Sequence, residues 1–363
     1  MKRHFLLLFP ALFAFASTSL FFQSDSASAQ SVRPSGGPDA APTPSPTKSV
    51  FVPKITEEEG VLKVETELVN LNVRVVDRNS RPINGLSQND FKIFEDNTPQ
   101  HIEFFSKSEV PTNYALLIDN SGSLRSQLEK VIEAGKIIVA TNRADDETSI
   151  IRFVSRDKIT IEQPFTANKT DLNDALDNLY IEGGQTAIID AVYLAAEKTA
   201  EYEKVRGDDR KRRALVIVSD GEDRDSYYNE AQLFELLREL DVQIYTIGFV
   251  NDLSKDGGFI AKSPQGKAKA FLQRLATETG GKAYFPTDVN ELAALAKDIG
   301  SELRMQYSIG YIPTNDRLDG TFRNIKVVVN DGPGNQKRIP ITKAGRVAGA
   351  DGAPPQKAAQ TKP

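Results

Sequence analysis

The sequence predicts an α/β fold: a doubly wound, mainly parallel sheet, inserted in or flanked by a small β-sandwich. From residue 111 to 302, short apolar runs alternate with helix-length segments, which indicates parallel strands covered by helices on both faces. The flanking segments, 51–110 and 303–346, contain strand patterns without such helices. We therefore expect strands from the two ends of the chain to pair and form one sandwich beside the α/β region.

Elements of the α/β region follow from local hydrophobic periodicity and turn residues. The pattern predicts strands at 114–118, 150–154, 159–165, 215–218, 242–249 and 283–285. It predicts helices at 124–141, 169–179, 186–205, 230–240, 271–279 and 289–303. In the flanks it predicts strands at 69–76, 91–94, 102–105, 307–312, 322–329 and 338–341.

Composition narrows the possible functions. The chain has 363 residues, a formal net charge of -5 and 39% hydrophobic residues, which is typical of a soluble protein with about two domains. The acidic balance argues against nucleic acid as the main partner. The chain has no Cys, and its two His residues are His4 and His101. Disulfides, thiolate metal sites and His-rich metal sites are therefore excluded, and any metal must be bound through oxygen.

The N-terminal residues 1–29 have the features of a signal peptide. Two basic residues precede an apolar run from Phe5 to Phe22, and Ala27-Ser28-Ala29 forms a small-x-small cleavage site. An uncleaved membrane anchor is the alternative, since the run approaches the length that spans a bilayer. We expect cleavage and a location in the periplasm or outside the cell.

Two further segments are predicted to lie outside the folded core. Residues 30–50 are rich in Pro and Ser, which indicates an extended linker. Residues 347–363 have a similar polar composition and predict a disordered tail.

Three oxygen-rich turns lie where a predicted strand ends or a helix begins. Asp119-Asn120-Ser121-Gly122-Ser123 follows the first strand of the α/β region, and Ser219-Asp220-Gly221-Glu222 follows the strand at 215–218. Gly183-Gly184-Gln185-Thr186 opens the long predicted helix. Because ligands of open parallel sheets bind at the carboxyl ends of strands, we expect these turns to meet at one edge. Hydroxyls, carboxylates and waters suit the octahedral shell of Mg²⁺.

The same residues resemble the metal-ion-dependent adhesion site of the von Willebrand factor A (vWA) domain. That family's pattern is Asp-x-Ser-x-Ser, a distant Thr and a distant Asp, and five residues of this chain match it: Asp119, Ser121, Ser123, Thr186 and Asp220. The resemblance implies Mg²⁺, with Mn²⁺ or Ca²⁺ as alternatives. It implies that the hydroxyls contact the metal, that the carboxylates act directly or through water, and that a Glu or Asp of a partner protein takes the remaining position.

The flanks resemble a narrower group. The segment "LSQNDFKIFEDN" at 86–97, with "YSIGYIPT" at 307–314, looks like those of exported bacterial proteins called von Willebrand factor A-related, of the acidobacteria type. This resemblance makes the expected architecture more specific but adds little about biological function.

Each candidate residue also has an ordinary structural explanation. Asp119, Ser121 or Thr186 alone could cap a helix, and Asp220-Gly221 alone could simply form a turn. Their joint occurrence at three strand or helix ends favours a metal site.

Three functions follow from this pattern. The first is a non-enzymatic module that binds an acidic side chain of a partner protein through Mg²⁺. The second is a scaffold whose metal site is structural or vestigial. The third is a Mg²⁺-dependent phosphohydrolase, but the haloacid dehalogenase-like class needs an acid two positions after its first Asp, where this chain has Ser121. We expect no enzymatic activity and identify no catalytic residue. The sequence leaves the partner and the oligomeric state open.

Overall fold

The structure is a computed structural model that describes residues 68–107, 110–202, 211–256 and 263–349. The predicted signal peptide and linker lie outside the described residues, as does most of the predicted tail. No helix within these ranges is long and apolar enough to cross a membrane.

The strands and helices are named in chain order. The strands are β1 (Val69–Val76), β2 (Phe91–Glu95), β3 (Thr98–Gln100), β4 (Ile102–Ser106), β5 (Thr112–Asp119), β6 (Glu147–Phe153), β7 (Ile159–Thr166), β8 (Arg212–Ser219), β9 (Gln243–Gly248), β10 (Ala283–Tyr284), β11 (Tyr307–Tyr311), β12 (Phe322–Val329), β13 (Ile339–Ile341) and β14 (Gly345–Val347). The helices are α1 (Leu128–Ala140), α2 (Lys169–Asp177), α3 (Ile188–Glu201), α4 (Glu230–Glu239), α5 (Pro264–Thr279) and α6 (Leu292–Glu302).

A six-stranded sheet with the order β10-β9-β8-β5-β6-β7 forms the centre of the α/β region. Neighbouring strands are parallel except β7, which runs antiparallel to β6 at the edge. All eight residues of β5 are buried, as expected for a strand covered on both faces. One apolar cluster includes residues of α1, α2 and α6, and the cluster on the opposite face includes residues of α3, α4 and α5. The predicted doubly wound, mainly parallel sheet is confirmed.

Two four-stranded antiparallel sheets form the flanking sandwich. Their strand orders are β13-β1-β11-β4 and β14-β12-β2-β3, so each sheet combines strands from before and after the α/β region. β1 pairs with β11, and β2 pairs with β12. Apolar side chains from both sheets share one core, which includes Leu71, Ile93 and Ile309. The expected pairing of the two flanks is therefore confirmed.

The boundaries differ from the sequence prediction in several places. α1 begins at Leu128 rather than at 124, because residues 122–124 form a 3-10 turn. α3 is shorter than predicted and begins two residues after Thr186. The short strands β3 and β14 were not predicted. β14 includes Val347 and is followed by the buried Ala348, so ordered structure extends past the predicted start of the tail at 347.

In β1 the apolar residues Val69, Leu71, Val73 and Val75 alternate with Asn70, Asn72, Arg74 and Val76, which predicts a half-buried strand. Arg74 departs from this pattern. A half-buried strand should expose this position, yet Arg74 is buried and forms a salt bridge with Glu302 of α6. Its guanidinium also donates to the carbonyl oxygen of Gly281 at 3.2 Å. The strand therefore packs against the α/β region at this point, and a paired charge replaces the expected solvent contact.

A second buried arginine, Arg212, connects the central sheet to the flanking sandwich. Arg212, at the start of β8, donates to Asn72 Oδ1 in β1 and to Ser308 Oγ in β11, both at 3.2 Å. It also donates to three backbone carbonyls that follow α6, those of Leu303, Arg304 and Gln306. This contact lies at the amino end of β8, at the opposite end of that strand from Asp220.

Candidate metal centre

Asp119 and Asp220 lie at the same edge of the central sheet because β5 and β8 are parallel neighbours. Ile118 of β5 pairs with Val218 of β8, so the residues that follow each strand emerge side by side. Asp119 is 0% exposed. Its Oδ1 accepts from the backbone N–H of Ser121 at 2.9 Å, and its Oδ2 accepts from the hydroxyl of Ser219 at 2.8 Å. Both carboxylate oxygens are thus oriented by the protein.

Ser121 and Ser123 bring two hydroxyl oxygens together. Their Oγ atoms are 2.8 Å apart. Ser121 is buried, whereas Ser123 is exposed, so the pair extends from the sheet edge toward solvent. Ser121 is the residue that precedes the 3-10 turn at residues 122–124, and Ser123 lies within that turn.

Thr186 is buried at 6% exposure, and its loop is fixed from two directions. The N–H of Ala187 donates to the carbonyl of Val154 at 2.7 Å. The carbonyl of Thr186 accepts from the N–H groups of Arg224 and Asp225, at 2.8 and 3.2 Å. Backbone bonds therefore join the loop of Thr186 to the loop that follows Asp220.

Asn120 joins the first turn to the loop of Thr186. Its carbonyl accepts from the N–H of Glu182 at 2.8 Å, and its Nδ2 donates to the carbonyl of Tyr180 at 2.6 Å. Asn120 is fully buried. Hydrogen bonds therefore connect the loops that contain the three turns predicted from the sequence.

Asp220 completes the set of five residues. It is 5% exposed, and its Oδ1 accepts from the N–H of Glu222 at 3.0 Å. Gly221 adopts a positive φ of 79°, and a Cβ there would lie 2.8 Å from Leu272 Cδ1. A side chain at 221 would thus be disfavoured both by backbone conformation and by lack of space.

The electrostatics of the site are those of two close acids. Burial raises the pKa of Asp119 from its ordinary value of 3.8 to about 6, and the charge of Asp220 acts in the same direction. Hydrogen bonds from Ser121 and Ser219 lower the pKa and partly oppose this shift. Within the described residues, neither acid forms a salt bridge. A bound cation would supply the missing positive charge.

The donor set fits a hard divalent cation. Carboxylate and hydroxyl oxygens are donors that suit Mg²⁺, and the hydroxyls of Ser121 and Ser123 already lie together, joined by a hydrogen bond of 2.8 Å. No group of three or more His, Cys, Asp or Glu side chains suited to a metal occurs in the described ranges. The candidate site instead combines two carboxylates with three hydroxyls.

In the structure Ser121 contacts both Asp119 and Ser123, and hydrogen bonds connect the loops of Thr186 and Asp220 to this turn. The sequence analysis did not identify the roles of Ser219 and Asn120. Both lie inside the turns that were singled out, but their partners are distant in sequence. The register of β5 and β8 could have indicated the partner of Ser219, whereas the partners of the Asn120 carbonyl and side chain lie in the loop that follows α2 and have no local signal.

A model of the von Willebrand factor type A domain matches residues 113–298, just over half of the chain. The chain belongs to the von Willebrand factor type A domain family. In this vWA domain the turns that contain Asp119 and Asp220 lie at the carboxyl ends of β5 and β8. Family membership does not bear on the narrower acidobacteria-type group, which stays a prediction from the flanking segments.

This vWA chain is similar in sequence to a cyanobacterial protein. An uncharacterized protein of Synechocystis sp. is 29% identical over 160 residues, which are 43% of this chain and 37% of that protein. The chain thus spans little more than a third of that relative's length.

Similar solved structures include an aerotolerance-related membrane protein of Bacteroides fragilis, with 20% identity, a TM-score of 0.40 and coverage of 53% of this chain and 98% of that chain. A von Willebrand factor type A protein of Catenulispora acidiphila has 12% identity and a TM-score of 0.43, with coverage of 77% and 74%. Proximal thread matrix protein 1 of the mussel byssus, solved with a zinc-occupied adhesion-site motif, has 17% identity and a TM-score of 0.43, with coverage of 54% and 48%. At these scores the likenesses add nothing to the family assignment.

Proposed function

We propose that this vWA chain is an exported, non-enzymatic protein that binds an acidic side chain of a protein partner. Mg²⁺, with Mn²⁺ or Ca²⁺ as alternatives, would be held by five residues: Asp119, Ser121, Ser123, Thr186 and Asp220. The observation that carries the proposal is the pair of buried acids, Asp119 and Asp220, which has no salt bridge within the described residues and lies beside the hydrogen-bonded hydroxyls of Ser121 and Ser123.

The residues of the chain would hold the metal ion and orient its ligands. No covalent bond would be made or broken. Hydrogen bonds from the Ser121 N–H and the Ser219 hydroxyl fix both oxygens of Asp119. The hydroxyls carry no charge, so they bind a cation without fully neutralising it. When bound, Mg²⁺ supplies a positive centre that attracts a carboxylate from outside the chain.

Two observations argue against the phosphohydrolase alternative. Ser121 stands where a general acid would be required, and its hydroxyl is engaged with Ser123. A hydroxyl is a far weaker acid than a carboxylic acid, so it offers little assistance to a leaving group. The scaffold alternative, with a structural or vestigial site, predicts metal binding without carboxylate binding, or neither.

The proposal is tested with two small peptides that differ in one side chain. N-acetyl-Gly-Glu-Gly-amide and its Gln counterpart are titrated into the purified, isotope-labelled chain, with Mg²⁺ or with EDTA, and followed by NMR. We expect shift changes at residues 119–123, 184–187 and 220–222 only with the Glu peptide and Mg²⁺. Equal responses to the Glu and Gln peptides, or responses that persist in EDTA, would reject metal-mediated carboxylate binding.

Export is tested separately. The N-terminus of the protein recovered from cells is determined by mass spectrometry. Cleavage after Ala29 predicts a mature chain that starts at Gln30. A chain that keeps Phe5 to Phe22 would support the membrane anchor instead.

A further inference from the structure

A cluster of three tyrosines lies beside the loop that follows Asp220. The rings of Tyr193 in α3 and Tyr228 stack with 4.0 Å between centroids and an interplanar angle of 5°. Tyr227 meets Tyr228 edge-on, with 5.3 Å between centroids. The side chain of Tyr227 is large and amphipathic, yet the residue is 76% exposed. An aromatic residue this exposed, held edge-on against a stacked pair through Tyr228, is typical of an interaction surface.

The position of this cluster is fixed by Asp190, which lies in the first turn of α3. Its two carboxylate oxygens accept from the backbone N–H groups of Tyr227 at 2.8 Å and Tyr228 at 2.9 Å. The N–H of Asp190 also donates to the hydroxyl of Ser226 at 3.1 Å. The rings are therefore presented by a braced loop, which reduces the entropy lost on binding.

Three glutamates lie on the helices beside Tyr193. Glu197 lies one helical turn after Tyr193, and Glu235 and Glu239 lie one turn apart on α4, the helix that contacts α3. None of the three forms a salt bridge with a described residue. Burial, the neighbouring Tyr228 and these glutamate charges all raise the pKa of Tyr193, so the acids lie close enough to act on the ring. Burial and the charge of Glu235 likewise raise the pKa of Glu239.

We propose that these tyrosines and glutamates form a docking surface for a lysine- or arginine-bearing segment of a partner protein. The six residues, called the Tyr–Glu surface below, are Tyr193, Tyr227, Tyr228, Glu197, Glu235 and Glu239. A cation is attracted to an aromatic face, and a guanidinium also stacks on it. The same cation would relieve the repulsion between uncompensated carboxylates. An apolar or acidic occupant would leave those charges unpaired.

The Tyr–Glu surface does not depend on the metal. The loop from Asp220 to Tyr228 runs from the candidate metal site to the aromatic cluster, so one partner could present an acid to the first and a base to the second. The two sites nevertheless use different residues. Binding at the Tyr–Glu surface is therefore expected in EDTA, and its failure is distinguishable from failure of the metal site.

The test uses a fluorescein-labelled tetra-arginine peptide and the full chain, with EDTA and low salt, followed by fluorescence anisotropy. We expect saturable binding that weakens as salt is added. Tyr227→Ala should weaken binding by roughly threefold, the size of an exposed cation–π contact. Glu235→Gln/Glu239→Gln should weaken it by about five- to tenfold, since two exposed charge pairs are lost. A tetra-glutamate peptide should not bind.

The matched control is Glu103→Gln/Glu129→Gln. It removes two exposed carboxylates from β4 and α1 and changes the net charge equally. Tetra-arginine affinity should stay within about twofold of the unsubstituted chain. The proposal is overturned if tetra-arginine shows no saturable binding, or if the control weakens binding as much as Glu235→Gln/Glu239→Gln, because net charge alone would then explain it.

Discussion

Asp119 accepts a hydrogen bond from the hydroxyl of Ser219, with 2.8 Å between Oδ2 and Oγ. The two residues end the neighbouring strands β5 and β8, so this single bond connects two of the three turns of the candidate metal site. Burial raises the pKa of Asp119 to about 6. The hydrogen bond from the Ser219 hydroxyl favours the ionised carboxylate and so lowers this pKa. Ser219 therefore positions the carboxylate that we propose as a metal ligand.

Replacing Ser219 with Ala should weaken Mg²⁺ binding by about tenfold, because groups that orient metal ligands contribute at least that much in other sites. Isothermal titration calorimetry measures the effect. The control is Ser149→Ala, which removes a buried hydroxyl of β6 that donates to the carbonyl of Gln163 at 2.8 Å. Equal losses in the two variants would mean that Ser219 has no special relation to the site.

The Mg²⁺ affinity should depend on pH through Asp119. Its pKa of about 6 in the folded, metal-free chain lies above its ordinary 3.8. Protons therefore compete with the metal, and affinity should rise from pH 5 to 7 and level off above. Calorimetric titrations at pH 5, 6, 7 and 8 test this. An affinity that is constant over this range would show that Asp119 does not participate.

The raised pKa of Asp119 also predicts how the free energy of unfolding of the metal-free chain depends on pH. The folded state binds the Asp119 proton more tightly than the unfolded state. This contribution is complete below pH about 4 and is lost as pH rises from about 4 to about 6. Asp119→Asn should remove that slope from the free energy of unfolding, measured by urea denaturation in EDTA. A slope that is unchanged in Asp119→Asn must come from another group.

Arg212 should matter for stability and not for metal binding. It is 3% exposed and satisfies three carbonyls that follow α6. Arg212→Met should lower the free energy of unfolding by about 3 kcal/mol, because these buried acceptors would lose their donors. Arg78→Met, at an exposed position, should change it by less than about 0.5 kcal/mol. Equal effects of the two substitutions would contradict the proposed role of Arg212, as would a large loss of Mg²⁺ affinity in Arg212→Met.

Much of the fold could be predicted because its signals are local. The buried run of β5 and the helix patterns indicated a doubly wound sheet, and parallel topology then placed Asp119 and Asp220 at one edge. Local patterns could not reveal long-range polar pairs. The alternation in β1 predicts that Arg74 faces solvent. Its partner Glu302 is more than two hundred residues away, so no local pattern indicates their salt bridge.

The strand β14 shows the same limit. It has three residues and a weak pattern, and its Arg346 is buried against Glu95 of β2, with 2.9 Å between Nε and Oε2. Likewise, the sequence marks Asp119 and Asp220 but does not distinguish Ser219 from an ordinary strand residue. Only the register of β5 and β8 places its hydroxyl on Asp119.

Asp119 and its neighbours are proposed to bind a divalent cation. The most direct test is the thermal unfolding midpoint of the chain as Mg²⁺ is titrated, for the unsubstituted protein, Asp119→Asn and the exposed control Asp145→Asn. Metal at 100 times its dissociation constant should stabilise the native state by about 2.7 kcal/mol. For a protein of this size the midpoint should rise by roughly 5–10 °C in the unsubstituted chain and in Asp145→Asn. The midpoint of Asp119→Asn should not move. No rise in the unsubstituted chain, or the same rise in Asp119→Asn, would contradict binding of a divalent cation at Asp119.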